Sequence, residues 1–415
     1  MCRGKILIKN IKKLIQCRTE DESYVSGKDM SSLPSVDNAF LYIENDKIID
    51  FGEMQDCLYS NVEEVYDAKG SMVLPSWCDS HTHIVYAGDR SSEFMDRIRG
   101  LTYQEIAEKG GGILNSAKLL SNTPVEEIYN QSIKRVNDVI KQGTGAIEIK
   151  TGYGLNYESE LKMLEVIQEI RKNTKLQVKS TFLGAHAYPK DYKENKEGYL
   201  DIIINKMLPD FKKRNLIDFI DVFCEEGYFS KEDTERIIIE GKKYDIPAKI
   251  HVNQFNSIGG IEVAVKNKAL SVDHLEVLSE IDLNILKQGN TMPVVLPICS
   301  FFLGIDYAPA RKIIDAGLPL AIASDFNPGS SPSGNMNLVI STACTKMKIT
   351  SEEAINAATI NGAYAMKLSD KVGSITKGKL ANLIITKPIN SIDEIPYRLG
   401  NDNIRDLILN GEKIK

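Results

Sequence analysis

The middle of the chain alternates short apolar runs with helical patterns, and this alternation restricts the possible folds more than any other feature of the sequence. Eight apolar runs occupy residues 77–79, 146–149, 178–183, 219–223, 248–252, 269–272, 294–298 and 320–323. Most are separated by segments whose apolar residues recur every three or four positions, such as Leu161, Leu164, Ile167 and Ile170. That spacing is typical of one face of a helix, so the alternation predicts an α/β fold with a (β/α)8 barrel.

Helix-start sequences support this order of elements. Ser230 with Asp233 and Thr350 with Glu353 predict capping boxes, and Thr123-Pro124-Val125-Glu126 predicts another with proline in the first turn. A doubly wound sheet is the alternative fold. It normally carries a phosphate-binding glycine fingerprint, and no G-x-G-x-x-G follows a predicted strand here.

The two ends of the chain differ from the middle. Residues 1–72 and 369–415 hold short runs rich in Ile, Val, Leu and Tyr between turn residues, and Asn410-Gly411 is a strong hairpin signal. Two β-rich ends around a different middle predict one small β-sandwich domain built from both termini. The barrel domain then covers residues 73–368.

Composition excludes several classes of function. The net charge is −6 and no basic stripe occurs, so the electrostatic footprint of nucleic-acid binding is missing. The seven cysteines are widely spaced and form no C-x-x-C pair, which indicates a reducing compartment. The first residues lack the apolar core of a signal peptide, and no apolar stretch is long enough to span a bilayer. We therefore expect a cytoplasmic protein that binds no membrane.

All five histidines lie at or near the carboxyl end of a predicted strand, which is the face of a barrel that carries the active site. They are His81, His83, His186, His251 and His274. This placement supports the strand assignment independently of periodicity.

Four of these strand-end residues predict a metal site. His81 and His83 are two positions apart, so in an extended chain their rings point the same way. His251 ends the fifth strand and Asp325 follows the eighth. Three imidazole nitrogens and one carboxylate suit Zn²⁺ or Fe²⁺, with a position left for water.

Local motifs resemble the imidazolonepropionase family of the amidohydrolase superfamily over essentially the whole chain. The motifs are DSHTHIVYAGDRSSEF, YQEIAEKGGGI, KTGYGL, GAHAYP, DVFCEEGYF and ASDFNPGSSP. The resemblance implies hydrolysis of the cyclic amide of 4-imidazolone-5-propanoate to N-formimidoyl-L-glutamate, in histidine degradation. It also implies one Zn²⁺ or Fe²⁺/Fe³⁺ per chain, the β-rich accessory domain and a homodimer.

The number of metals depends on the fourth strand. Two-metal members of the superfamily usually carry a carboxylated lysine there, whereas here the strand has none and Lys150 lies on the second strand. This favours a single metal. Glu225 leaves an alternative open, because its carboxylate can bridge a second ion or serve as a hydrogen-bond partner.

Two residues are candidates for the chemistry. Asp325 can take a proton from the attacking water, besides binding the metal. His274 can polarise the substrate carbonyl and stabilise the oxyanion. The alternative for His274 is a structural bond to Asp273 or Glu276.

The resemblance also implies the substrate contacts. Arg90 is expected to bind the carboxylate tail of the substrate in a bidentate grip. Tyr153 and His186 match family positions that contact the substrate. Asn327, Gly329 and Ser330 are expected to line the opposite side, although N-P-G-S is also a turn sequence, and Tyr103 is a further candidate.

Gln254 separates this chain from the deaminases of the superfamily, which often have glutamate at this position. Glutamine can hydrogen-bond the substrate ring but cannot act as a general acid, which argues against ring deamination. It leaves either His274 or Asp325 to protonate the departing nitrogen. The alternative functions are another cyclic-amide hydrolase or an aminohydrolase on the same barrel and, more remotely, a barrel without catalysis.

Overall fold

The computed structural model describes residues 4–18, 22–102, 105–106 and 109–415, and within them the chain forms two sheets. The N-terminal segment contributes to the first sheet β1 (Lys5–Ile15), β2 (Ser35–Glu44), β3 (Lys47–Glu53), β4 (Glu64–Asp67) and β5 (Met72–Pro75). The middle forms the second sheet from β6 (Trp77–Thr82), β7 (Thr144–Lys150), β8 (Gln177–Ala185), β9 (Phe219–Cys224), β10 (Ala248–Val252), β11 (Ser271–His274), β12 (Met292–Val295) and β13 (Ala321–Ile322). The C-terminal segment returns to the first sheet with β14 (Leu383–Thr386), β15 (Ile404–Leu409) and β16 (Glu412–Lys413).

The first sheet is mixed and joins the two ends of the chain. Its order is β16-β15-β14-β5-β1-β2-β3, with β4 added to β1. β14 runs antiparallel to β5, with Ile384 opposite Leu74. The predicted β-rich module from both termini is therefore confirmed. Asn410 and Gly411 connect β15 to β16 with positive φ angles of 51° and 73°, as a tight hairpin turn requires.

The second sheet is parallel, with its strands in sequence order from β6 to β13. It nearly closes, because Asp325 N donates to His81 O over 3.0 Å and His83 N donates to Phe326 O over 2.9 Å. Most strand residues are fully buried, as expected when helices cover a parallel sheet. The predicted (β/α)8 barrel is confirmed. The strand predicted at residues 294–298 is shorter than expected. It ends at Val295, because Pro297 begins a helix.

The helices follow most of the strands and cover the barrel. They are α1 (Ser91–Ile98), α2 (Gly112–Asn122), α3 (Val125–Lys141), α4 (Tyr157–Asn173), α5 (Lys196–Ile202), α6 (Leu208–Lys213), α7 (Lys231–Lys243), α8 (Gly260–Lys266), α9 (Glu280–Leu286), α10 (Pro297–Leu303), α11 (Ala310–Asp315), α12 (Met336–Met347), α13 (Ser351–Ala358), α14 (Ile360–Tyr364) and α15 (Glu394–Tyr397). No helix in the described ranges combines the length and apolar character needed to cross a membrane.

Two of the three predicted capping boxes form, at the starts of α7 and α13. The prediction at Thr123 is wrong. The N-cap of α3 is Pro124, which has neither a hydroxyl group nor an N–H to complete a box. Thr123 Oγ1 instead donates to Leu119 O, 2.8 Å away, at the end of α2.

Candidate active site

The four predicted metal ligands meet at the carboxyl end of the barrel. His81 lies in β6 and His83 just beyond it, His251 lies in β10, and Asp325 follows β13. Asp325 Oδ1 is 3.4 Å from His81 Nε2 and 3.7 Å from His83 Nε2. His83 Nε2 is 3.4 Å from His251 Nε2. Among the described residues, His81, His83 and Asp325 form one group whose ligand atoms lie within 4.8 Å of one another, and His81 and His251 form a second such group with His274.

The donor set fits a divalent cation. Burial lowers the pKa values of His81, His83 and His251 well below the usual 6.5, so the rings are neutral, as metal ligands must be. His81 Nε2 is buried and makes no hydrogen bond within the described structure. Two neutral ring nitrogens only 3.4 Å apart repel through their lone pairs unless a proton or cation lies between them.

Carboxylates on two other strands of the barrel lie behind two of these rings. His81 Nδ1 lies 2.6 Å from Asp273 Oδ2, and His251 Nδ1 lies 3.0 Å from Asp221 Oδ2. Asp273 is hydrogen-bonded to His81 Nδ1, whereas Asp221 Oδ2 lies beside His251 Nδ1 without hydrogen-bond geometry. A carboxylate next to Nδ1 favours the tautomer with hydrogen on Nδ1, which leaves the Nε2 lone pair for a metal. Neither pairing was predicted from the sequence, where Asp273 was considered as a partner of His274 instead.

A layer of charged side chains lies below the histidines and was also not predicted. Glu148, Lys150 and Lys249 are completely buried. The sequence contains a pattern from which these residues could have been predicted. Glu148 and Lys150 alternate with apolar residues in β7, as Lys249 and His251 do in β10. Charge at alternate positions of a buried strand marks the residues that face the barrel interior.

The structure favours the hydrogen-bonding role of Glu225 over a bridging one. Its Oε2 accepts from Phe255 N over 2.9 Å and from Asn256 N over 3.3 Å, and its Oε1 accepts from Asn256 Nδ2 over 3.0 Å. The carboxylate therefore holds the loop after β10.

Asp325 sits in a constrained loop beside the histidines. Its φ is +53°, a left-handed conformation that few non-glycine residues adopt. Burial raises the pKa of its carboxyl to about 6. Ser330 Oγ donates to Asp325 Oδ2 over 3.3 Å. The side chain of Asn327 holds the same loop, since its Oδ1 accepts from Gly329 N over 2.8 Å and from Ser330 N over 2.7 Å.

His274 has the backbone strain that often marks functional sites, with a φ of +92°. Its Nδ1 lies 3.5 Å from Glu276 Oε2, and Ser300 Oγ donates to Glu276 Oε1 over 3.1 Å. Burial opposes a charged ring, but the carboxylates of Glu276, Asp325 and Asp273 together outweigh it and raise the pKa of His274. Of the two predicted neighbours, Glu276 is the one beside His274, whereas Asp273 pairs with His81.

A pocket opens above these residues. It brings together nearly all the predicted site residues. Its walls include His83, Arg90, Tyr153, His186, His251, Gln254, His274, Asp325, Asn327 and Ser330. Tyr103 lies outside the described residues.

Arg90 is held at the pocket wall. Its Nε donates to Glu93 Oε2 over 2.7 Å, and its Nη2 lies 2.6 Å from the same oxygen. Glu93 also accepts from Gly112 N at the start of α2, over 3.1 Å. Gly329 lies against the guanidinium, where a Cβ atom would be 2.1 Å from Arg90 Nη1. The role of Glu93 was not predicted from the sequence. A glutamate three residues after an arginine is common on helices, so the spacing alone does not indicate a functional contact.

Tyr153 and His186 lie on adjacent loops, with ring centroids 5.5 Å apart. His186 Nδ1 lies 3.0 Å from Gly152 O, and burial lowers the pKa of His186 to about 4. The neutral ring therefore donates from Nδ1. Gly152 has a φ of +107°, which favours glycine. Glu160 holds this loop by accepting from Gly154 N over 2.7 Å, a contact not predicted from the sequence.

Gln254 lies on the wall next to Cys299. Its Nε2 is 3.5 Å from Cys299 Sγ, and Cys299 is completely buried. This leaves the amide oxygen of Gln254 as an acceptor for a ligand.

Comparisons with known proteins identify relatives along the whole chain. A model of the Amidohydrolase family matches residues 72–414. An imidazolonepropionase of Christiangramia forsetii is 59% identical over 99% of this chain and 100% of its own length. That of Flavobacterium johnsoniae is 60% identical over 98% of this chain and 99% of its own. The imidazolonepropionase of Alkaliphilus oremlandii is 38% identical over 99% of this chain and 97% of its own length.

Solved structures share the fold. An adenosine deaminase from Xanthomonas campestris with bound zinc has a TM-score of 0.73 and 15% identity, covering 99% of this chain and 92% of its own. A guanine deaminase from C. acetobutylicum has a TM-score of 0.72 and 18% identity, covering 99% and 100%. At these identities the likeness shows the fold alone. The family model and the full-length relatives are more specific, and they show that the chain belongs to the amidohydrolase family and, within it, to the imidazolonepropionases.

Proposed function

We propose that the protein hydrolyses the cyclic amide of 4-imidazolone-5-propanoate to N-formimidoyl-L-glutamate, using one divalent cation held by His81, His83, His251 and Asp325. As an amidohydrolase it is a metal-dependent enzyme acting on a carbon–nitrogen bond, and its substrate is a small molecule. The observation that carries the proposal is a buried cluster of histidines and an aspartate beside an arginine held by Glu93, since the substrate has a ring carbonyl and a carboxylate tail.

The tail and the ring have separate partners. We assign the carboxylate tail to Arg90, which Glu93 holds in place through contacts of 2.7 and 2.6 Å. Tyr153, His186 and Gln254 line the same pocket and are assigned to the ring. The loop with Asn327, Gly329 and Ser330 forms the wall next to Arg90.

The reaction adds water across the amide bond. A bound Zn²⁺ or iron ion supplies Lewis acidity, which polarises the carbonyl and lowers the pKa of water to about 7. Asp325 accepts the proton of the attacking water at its carboxylate. His274 donates a hydrogen bond to the carbonyl oxygen as negative charge develops there. The carbon–nitrogen bond then breaks, and the departing nitrogen takes a proton from Asp325 or from His274.

Glutamine at 254 supports amide hydrolysis over deamination, because an amide side chain cannot deliver a proton to the ring. The single-metal proposal is supported by the contacts of Glu225 with the loop after β10 and by the position of Lys150 among carboxylates.

The proposed function is tested by assaying this reaction directly. Purified protein with one equivalent of Zn²⁺ or Fe²⁺ is mixed with 4-imidazolone-5-propanoate, and the loss of its ultraviolet absorbance and the formation of N-formimidoyl-L-glutamate are measured. Asp325→Asn, which keeps the size of the side chain, is the control and is expected to be inactive. A metal-loaded wild-type protein that leaves the substrate intact would contradict the proposal.

Three further predictions need their own measurements. The homodimer is tested by light scattering coupled to gel filtration. The cytoplasmic location is tested by cell fractionation. The boundaries at residues 72/73 and 368/369 of the chain are tested by limited proteolysis.

A further inference from the structure

Two lysines lie inside the barrel beneath the candidate metal ligands. The side chains of Lys150, on β7, and Lys249, on β10, have no exposed surface. A buried ammonium is stable only when carboxylates pair with it. Glu148, Asp221 and Asp273 surround the two lysines and supply these carboxylates.

Lys150 meets the two oxygens that orient the histidines. Its Nζ is 2.7 Å from Asp221 Oδ2 and 3.5 Å from Asp273 Oδ2. The same Asp221 oxygen is 3.0 Å from His251 Nδ1, and the same Asp273 oxygen is 2.6 Å from His81 Nδ1. One ammonium thus contacts the carboxylate oxygens that lie beside two different rings, of which His81 is hydrogen-bonded to its carboxylate.

We propose that Lys150 is a positioning residue for the metal centre, whose ammonium anchors the carboxylates of Asp221 and Asp273 so that His81 and His251 present Nε2 to the cation. This inference rests on the proposed metal site. A carboxylate without this anchor is free to rotate, and the ring that depends on it loses its fixed orientation. Partners of this kind typically change metal affinity or activity by about 10–100-fold.

Lys249 offers a matched comparison, because it is equally buried but has different partners. Its Nζ is 2.8 Å from Glu148 Oε2, 2.9 Å from Ala365 O and 3.2 Å from Ser80 O. Within the described residues it forms no ion pair with Asp221 or Asp273.

The direction of the change in cation affinity distinguishes a positioning role of the lysine from an effect of its charge alone. Removing either ammonium makes the interior more negative, and this change alone favours cation binding. Loss of ring orientation has the opposite effect and weakens binding. Weaker binding on removal of Lys150 therefore cannot come from the change in charge.

The experiment measures Co²⁺ affinity by competition with a chelator, together with the visible absorption of bound Co²⁺, which reports the geometry of its ligands. Lys150→Met is expected to bind Co²⁺ about 10–100-fold more weakly than the wild type, with an altered spectrum. Lys249→Met is expected to bind at least as tightly as the wild type, with an unchanged spectrum.

Lys150→Met removes the ammonium beside Asp221 and Asp273, and Lys249→Met leaves Glu148 with one ammonium in place of two. Folding of both variants is therefore checked by circular dichroism. If either single variant fails to fold, two double variants replace them. In one, Lys150→Met is combined with Glu148→Gln, and in the other, Lys249→Met is combined with Glu148→Gln. Each double variant loses one positive and one negative charge, so its net charge is unchanged. A Lys150 variant that matches its Lys249 counterpart in affinity and spectrum would overturn the inference. A wild-type protein that takes up no Co²⁺ would overturn the metal site as well.

Discussion

Substitution of Gly329 by alanine is predicted to impair substrate binding through Arg90 without disturbing the metal ligands. The added Cβ would lie 2.1 Å from Arg90 Nη1 and 2.6 Å from its Cζ. Contacts below about 3.4 Å are repulsive for such atoms, so the guanidinium has to move by more than 1 Å (roughly 3.4 minus 2.1). Arg90 has little room to move, because it is buried and held by Glu93.

The magnitude follows from the contact that is lost. A hydrogen bond to a charged group contributes about 1.5–3 kcal/mol, which corresponds to roughly 10–150-fold in binding. We expect Gly329→Ala to raise KM by a factor in this range, with a smaller change in kcat and unchanged metal content. The assay is steady-state hydrolysis of 4-imidazolone-5-propanoate, followed by its ultraviolet absorbance.

A substrate without the tail separates this mechanism from general damage. With 4-imidazolone carrying a methyl group in place of the propanoate, the variant and the wild type are expected to have the same kcat/KM. An unchanged KM for the full substrate would refute the reasoning. An equal loss of activity on both substrates would also refute it, since the tail would then be irrelevant.

Three further predictions concern the residues that hold the site. Glu93→Gln is expected to raise KM several-fold with kcat nearly unchanged, because the arginine loses its charged partner, and steady-state kinetics of the metal-loaded variant measure this. Glu160→Gln is expected to lower the free energy of unfolding in urea by about 1–3 kcal/mol, since a buried acceptor of backbone N–H groups is replaced by a partial donor. Burial raises the pKa of Asp325 to about 6, so below that pH a cation has to displace a proton. Metal affinity should then fall about tenfold per pH unit, which calorimetry between pH 7 and pH 5 measures, and a pH-independent affinity would contradict the assignment.

The fold and the position of the candidate metal ligands at one end of the barrel could be predicted because both depend on local pattern. Alternating apolar runs and helical periodicity determine the barrel, and residues two apart on a strand share a face. His81, His83, His251 and Asp325 could therefore be expected to lie at the same end of the barrel, without knowledge of any contact.

Residues that hold the ligands could not be predicted in the same way. The pairing of His81 with Asp273 joins strands that are not adjacent in the sheet, so it depends on the closure of the barrel. Glu93 and Glu160 act through backbone groups of loops whose conformations are not encoded by periodicity. The capping box expected at Thr123 does not form, because the Thr123 hydroxyl donates its hydrogen bond to Leu119 O of the preceding helix.

The most direct test of the account is a metal titration of the metal-free protein. Zn²⁺ or Fe²⁺ is added in fractions of an equivalent under anaerobic conditions, and hydrolysis of 4-imidazolone-5-propanoate is measured after each addition. Activity is expected to rise linearly and to stop rising at one metal per chain, with no activity in Asp325→Asn at any ratio. A break at two metals per chain, or full activity before any metal is added, would contradict it.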